Sequence, residues 1–126
     1  MEYVNVQDAE VPSLGFGTWQ ITGPGCVRAV KDAIDIGYRH IDTAQAYDNE
    51  RQVGRGIAEA DVERDDLWLT TKVWHSNLKH DDVIRTTEQS LRRLDTDYLD
   101  LLLIHWPVEE ISFQETLDAM RSLQND

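Results

Sequence analysis

An aspartate, a tyrosine, a lysine and a histidine stand at places in this chain from which they can meet. Asp42 follows His40 by two residues, Tyr47 lies a short loop beyond it, and Lys72 and His105 lie at the ends of apolar runs. A free phenol titrates at about 10, too high for easy proton exchange at neutral pH. An ammonium beside a phenol favours its ionised form, and a carboxylate beyond the ammonium keeps that group charged and fixed. So arranged, a phenol becomes a general acid that protonates a carbonyl oxygen as charge develops there. An imidazole nearby orients the same oxygen or shares in the proton transfer. None of the four can supply a hydride, so carbonyl reduction by this set implies a nicotinamide.

The set works only if the chain brings it to one edge of a sheet. Tyr3 to Val6 and Val11 to Leu14 flank the turn-like Gln7-Asp8-Ala9-Glu10 and predict a small hairpin. Leu14 to Trp19 reads as a first strand, Tyr38 to Thr43 as a second, Leu67 to Val73 as a third and Tyr98 to His105 as a fourth. The fourth is apolar nearly throughout, as a strand covered on both faces should be. Between them the apolar residues recur at helical spacing: Val27, Val30, Ala33 and Ile34, then Val53 and Ile57, then Val83, Thr87, Leu91 and Leu94. Gly37 is a stop signal, Asp81 or Asp82 a candidate cap, and Ser112-Phe113-Gln114-Glu115 fits a capping box opening a last helix.

Strands alternating with helices of this length mean parallel pairing and right-handed crossovers. Period two puts His40 and Asp42 on one side of the second strand, and neighbouring strands lie about 4.8 Å apart, within reach of a lysine. Polar residues at the ends of successive strands are the mark of a barrel. The segment Trp19 to Gly25 lacks the G-x-G-x-x-G spacing of a dinucleotide-binding fold. The expected fold is therefore α/β: the N-terminal half of a (β/α)8 TIM barrel, four parallel strand–helix units after a short β-hairpin. A whole barrel takes about 250 residues. Residues 1–126 then read as a partial barrel: a fragment, a truncated reading frame, or a half completed by another chain or by self-association.

Composition narrows the partners. Asp plus Glu number 24 against 12 for Lys plus Arg, a formal net charge of −12. That disfavours nucleic acid, which needs a cationic face, and anionic membrane surfaces. No apolar run approaches the roughly 18 residues of a membrane span, and the acidic start carries no secretory signal. The single cysteine, Cys26, excludes an internal disulfide, so the chain reads as cytoplasmic. Lys31, Lys72 and Lys79 are its only lysines, and excess carboxylate with little lysine suits a high-salt cytoplasm. Thermal melts should therefore rise between low and molar KCl, as the Debye length falls to about 3 Å and carboxylate repulsion is screened. A melting point that is flat or falls with salt contradicts this halophilic reading.

Four segments carry a family resemblance. Gly37-Tyr38-Arg39-His40-Ile41-Asp42-Thr43-Ala44-Gln45-Ala46-Tyr47-Asp48-Asn49-Glu50, continuing to Val53-Gly54, resembles the first hallmark of the aldo-keto reductases. Leu14 to Trp19 resembles their first barrel strand, and Thr71-Lys72-Val73-Trp74 their lysine strand. Leu91 to Leu101, ending in His105-Trp106-Pro107, resembles the second hallmark. The similarity is greatest to the diketogluconate-reductase branch. It implies a catalytic tetrad of Asp42, Tyr47, Lys72 and His105. It implies a substrate pocket of Trp19, Tyr47, Trp74, His105 and Trp106, with Pro107 to Ile111 as a short substrate loop. It implies a nicotinamide lying along Gly17, Thr18, Trp19 and Asp42. NADP(H) is the implied cofactor, NAD(H) remaining open, and a small carbonyl compound the substrate. The family's Ser-Asn pair, its carboxamide-binding Gln, its stacking aromatic and its cluster for the 2′-phosphate have no counterpart in residues 1–126.

Other readings stand beside this one. A barrel metallohydrolase could use His40, Asp42 and His105 as ligands, although Tyr47 and Lys72 would then have no work. A non-catalytic remnant or interaction module is also compatible with four units. His40 reads better as a core histidine with a satisfied hydrogen bond, His75 and His80 as surface residues, and Trp68 as packing in the outer layer. Cys26, without a base beside it, reads as inert.

Overall fold

The computed structural model describes residues 1–126. Strands β1 (Tyr3–Val6) and β2 (Ala9–Pro12) form an antiparallel hairpin. The reverse turn is tighter than the sequence suggested. Val6 pairs with Ala9, and Gln7 takes a left-handed φ of 54°, so only Gln7 and Asp8 lie in the loop and Ala9-Glu10 join the strand.

Four strands then make one parallel sheet in chain order: β3 (Phe16–Gly17), β4 (His40–Asp42), β5 (Trp68–Val73) and β6 (Leu101–Ile104). Helices α1 (Gly23–Asp35), α2 (Glu50–Glu59), α3 (His80–Leu94) and α4 (Phe113–Gln124) follow them in turn. None is long and apolar enough to cross a membrane. Pro24 in the first turn of α1 and Gly37 just past its end, at φ 124°, bracket that helix as its sequence predicts. At α3 the cap differs: the helix starts at His80 with Lys79 as N-cap, and Asp81 and Asp82 sit in the first turn, facing the positive helix end. Of the capping box only half forms. Ser112 Oγ accepts the Glu115 N–H at 3.2 Å, but Glu115 Oε2 turns away to accept the His80 N–H at 2.9 Å, tying α4 to α3.

One face of the sheet is covered by the helices. Cys26, Val30 and Ile34 of α1 and Val53 of α2 pack with Ile41 and Leu69, while Val73 packs with Val83 of α3 and Ala119 of α4. Helices α1 and α2 approach so closely that a Cβ on Gly56 would sit 2.7 Å from Val30 Cβ, and one on Gly54 would sit 2.6 Å from the Leu94 carbonyl oxygen. No side chain fits at either place without moving backbone.

The other face of the sheet is not covered by the helices, and it carries the polar residues of the expected site. By period two it presents His40 and Asp42 on β4, Trp68, Thr70 and Lys72 on β5, and Leu101 and Leu103 on β6. Two expectations are corrected here. Trp68 belongs to this face, edge-on to His40 at 6.2 Å, and not to the helix layer. Strand β6 is covered on one face only: Leu102 and Ile104 pack under the helices, while Leu101 and Leu103 are 37% and 38% exposed. An unbroken apolar run does not say which segment covers each face.

Candidate active site

Parallel register places the polar groups at the C-terminal edge of the sheet. Asp42 ends β4 opposite Thr70, Lys72 lies two residues further along β5 opposite Leu103, and His105 follows β6. Tyr47 closes a single turn of 3-10 helix, Gln45–Tyr47, that folds over the ends of β4 and β5.

Lys72 organises the site. Its ammonium donates to Asp42 Oδ1, to the Thr43 carbonyl at 3.2 Å and to Tyr47 Oη at 3.2 Å. An ammonium has three N–H bonds and no acceptor. All three are therefore engaged, the lysine side chain is 14% exposed, and Asp42 faces it as an ion pair. Tyr47 accepts from Lys72, which leaves its own phenolic proton free for a ligand.

His105 stands edge-on to Tyr47 with ring centroids 5.6 Å apart. Its Nδ1 is buried with no hydrogen-bond partner. Burial first, and then the Lys72 charge, push this imidazole below its ordinary value of 6.5, with Asp42 opposing. The ring is thus neutral at pH 7. Because the folded state resists protonating it, its contribution to stability is present above pH 6.5 and is lost as pH falls from there through the lowered folded value. Proton NMR titration of the His105 ring should show a midpoint below that of a free imidazole. A midpoint at or above 6.5 contradicts this environment.

Aromatic side chains wall the edge. Trp74 lies 5.2 Å from His105 and 5.4 Å from Trp106 between centroids, and His105 lies 5.9 Å from Trp106. Trp106 is 59% exposed. The structure thus gathers Tyr47, Trp74, His105 and Trp106, but not Trp19, which is 67% exposed and stacks on none of them. His75, expected at the surface, is half-buried: its ring lies 4.2 Å from Trp74 and stacks on Trp106 at 6.4 Å. Its place directly after Trp74 at a strand end was the available signal.

On the opposite side of Asp42 runs the Gly17–Trp19 segment. Gly17 pairs with Asp42, and a Cβ there would meet nothing within 4 Å, so bare backbone faces open space beside the carboxylate. That open backbone next to Asp42 fits the approach of a nicotinamide. Thr18 contributes only backbone to that side, since its buried hydroxyl donates to Thr43 Oγ1 at 2.9 Å. Asn49, in the first hallmark but without an expected role, locks the segment: it accepts from Thr43 Oγ1 at 3.0 Å and donates to the Thr18 and Ile21 carbonyls at 2.8 and 2.9 Å.

His40 is the satisfied core histidine expected. One ring nitrogen meets the Pro12 carbonyl at 3.2 Å and the other Thr70 Oγ1 at 2.9 Å. Neither nitrogen is free to ligate, which removes the ground for a metal centre on His40, Asp42 and His105. Burial raises the Cys26 thiol above its ordinary value, in keeping with an inert residue.

Comparison with known proteins gives the family. The aldo/keto reductase family model covers residues 13–126. The chain belongs to the aldo/keto reductase family. A methylglyoxal reductase of Escherichia coli O157:H7 is 46% identical over 112 residues, spanning 87% of this chain and 42% of that protein. The crystal structure of a putative 2,5-diketo-D-gluconic acid reductase B superposes with a TM-score of 0.95 at 42% identity, over 99% of this chain and 44% of that one. An aldo-keto reductase of Bombyx mori in complex with NADP superposes with a TM-score of 0.88 at 35% identity, over 99% and 48%. The chain thus spans about half the length of the relatives it matches. Its sheet and helices correspond to part of their (β/α)8 barrel.

Proposed function

We propose that this chain carries the proton-transfer half of an NAD(P)H-dependent reductase that converts aldehydes or ketones to alcohols. The observation that supports this most is the Lys72 ammonium held between Asp42 and Tyr47 with all three N–H bonds spent. The lysine then cannot donate to the substrate. Tyr47, accepting from it, keeps a proton directed at the carbonyl oxygen, and the lysine charge stabilises the phenolate left behind. Neutral His105 orients that oxygen, and Trp74 and Trp106 exclude water around the reacting carbon.

Gly17, Thr18, Trp19 and Asp42 are the residues of this chain that would lie along the nicotinamide. NADP(H) is the cofactor favoured, in line with the NADP-bound relative, and when bound it supplies the hydride. The substrate is a small carbonyl compound, with methylglyoxal a natural first trial given the E. coli relative. Exposed Leu101 and Leu103 on the interior face are covered, in this reading, by further strand–helix units. The test is aldehyde-dependent oxidation of NADPH by residues 1–126 joined to the remaining barrel units of the E. coli relative. No turnover from a folded chimera would overturn the proposal.

A further inference from the structure

Gln45 opens the turn that carries Tyr47, and no step above uses it. Its half-buried amide makes three hydrogen bonds, two to the Trp74–Asn77 turn and one to α3. The amide oxygen accepts from the Trp74 backbone N–H and from Asn77 Nδ2, each at 3.0 Å. The amide nitrogen donates to Ser90 Oγ of α3 at 3.3 Å. One side chain thereby ties the turn holding the phenol to the segment holding the indole at the pocket wall. Apart from these bonds, the Lys72 bond to Tyr47 and the packing of Tyr47 on His105, no side-chain contact of the turn reaches the Trp74 segment. The turn is three residues long, has no side-chain cap, and exits through Asp48 at a left-handed φ of 55°. A single 3-10 turn has poor hydrogen-bond geometry of its own, so its place is set by what it touches.

We infer that Gln45 is a positioning residue, fixing the spacing between the Tyr47 phenol and the Trp74 wall and so where a carbonyl rests against its proton donor. The inference rests on the reading of Tyr47 as general acid. Its expected size follows from geometry: displacement on the order of 1 Å from the reactive arrangement can cost about 10²-fold in rate.

Two variants separate positioning from mere stability. Gln45→Met keeps the length and loses all three bonds. Gln45→Glu keeps an acceptor oxygen for Trp74 and Asn77, loses the donor to Ser90 and sets a carboxylate oxygen in its place. Hydrogen exchange by NMR on residues 1–126 reads the Trp74 amide directly, with the Leu69 amide of β5 as internal reference. Kinetics of the barrel-completed chain read the consequence. Gln45→Met should speed Trp74 exchange by at least ~10-fold relative to Leu69. It should lower kcat by about 10-fold or more with the KM for NADPH unchanged. Gln45→Glu should stay within about threefold of the parent in both.

The inference is overturned by a Gln45→Met variant that keeps Trp74 protected or turns over normally. It is equally overturned by a Gln45→Glu variant as impaired as Gln45→Met. A Tyr47→Phe variant with normal turnover removes the general-acid reading and this role together. An inactive Tyr47→Phe beside a normal Gln45→Met removes the positioning role alone.

Discussion

Tyr47→Phe should lower aldehyde reduction by at least ~10²-fold while leaving NADPH binding nearly unchanged, because it deletes the one proton this site can deliver. Each alternative donor is accounted for. Lys72 spends its three N–H bonds on Asp42, the Thr43 carbonyl and Tyr47. Losing Tyr47 frees one of them, but Asp42 and Thr43 still hold the ammonium at the floor of the site. His105, the remaining titratable neighbour, is held neutral by burial and by the Lys72 charge, so at pH 7 it offers no proton of matched acidity. A hundredfold loss corresponds to about 2.7 kcal/mol of barrier. The loss should appear in kcat and kcat/KM alike, the signature of an interaction made only in the transition state. Cofactor affinity should hold, because Gly17, Thr18 and Asn49 are positioned through Asp42 and Thr43 and not through the phenol. Fluorescence quenching by NADPH and steady-state kinetics on the barrel-completed chain measure the two quantities separately. Near-parent turnover in a folded Tyr47→Phe protein would remove the tyrosine from the chemistry.

Why the sequence revealed some of this and not the rest has physical reasons. Four alternating units and the polar ends of their strands were legible because parallel strands and amphipathic helices impose different periods on the same chain. Asp42 and Lys72 could be brought together on paper because period two and the inter-strand spacing leave little freedom. Boundaries were less legible. The first strand is only Phe16–Gly17, and the hairpin turn is confined to Gln7-Asp8 because left-handed backbone at a glutamine leaves no compositional mark. Trp68 is one residue out of phase with Leu67 and Leu69, and that phase does not say which face the helices cover; the two leucines pack with the helices, so Trp68 falls on the opposite face and not in the outer layer. Gln45, Asn49 and Glu50 stand in the first hallmark, but their individual roles were not legible for a different reason. A buried polar side chain is recognised by its partners, and Thr18, Trp74, Ser90 and Arg93 are distant in sequence. The aromatic cluster was half legible: placement past strand ends brought Trp74 and Trp106 together, but could not tell that Trp19 stacks on neither or that His75 joins them.

Glu50 should prove the most costly residue to remove, although it touches no reacting group. It opens α2 with its side chain 1% exposed. One carboxylate oxygen accepts from Thr71 Oγ1 at 2.7 Å; the other accepts from Ser90 Oγ at 3.1 Å and Arg93 Nε at 2.9 Å. Three elements meet there: α2, the lysine strand β5 and α3. Deleting one partner of a buried ion pair costs about 3–5 kcal/mol, because the other charge is left without its partner. Arg93 is 30% exposed and recovers some hydration, which places Glu50→Ala near the lower end of that range. Against a typical domain stability of about 5–15 kcal/mol, such a loss should lower Tm by on the order of 10 °C. In urea the midpoint should fall with the slope unchanged, as for a change in stability without a change in exposed surface. Glu50→Gln keeps the shape and the acceptor for Thr71 and should lose roughly half as much, since hydrogen bonds to neutral groups are worth about half those to charged ones. The effect should reach the site as well. Thr71 precedes Lys72, so releasing its hydroxyl loosens the strand that aims the ammonium at Tyr47. A Glu50→Ala chain within about 1 kcal/mol of the parent would mean that this buried carboxylate is neutral to the fold.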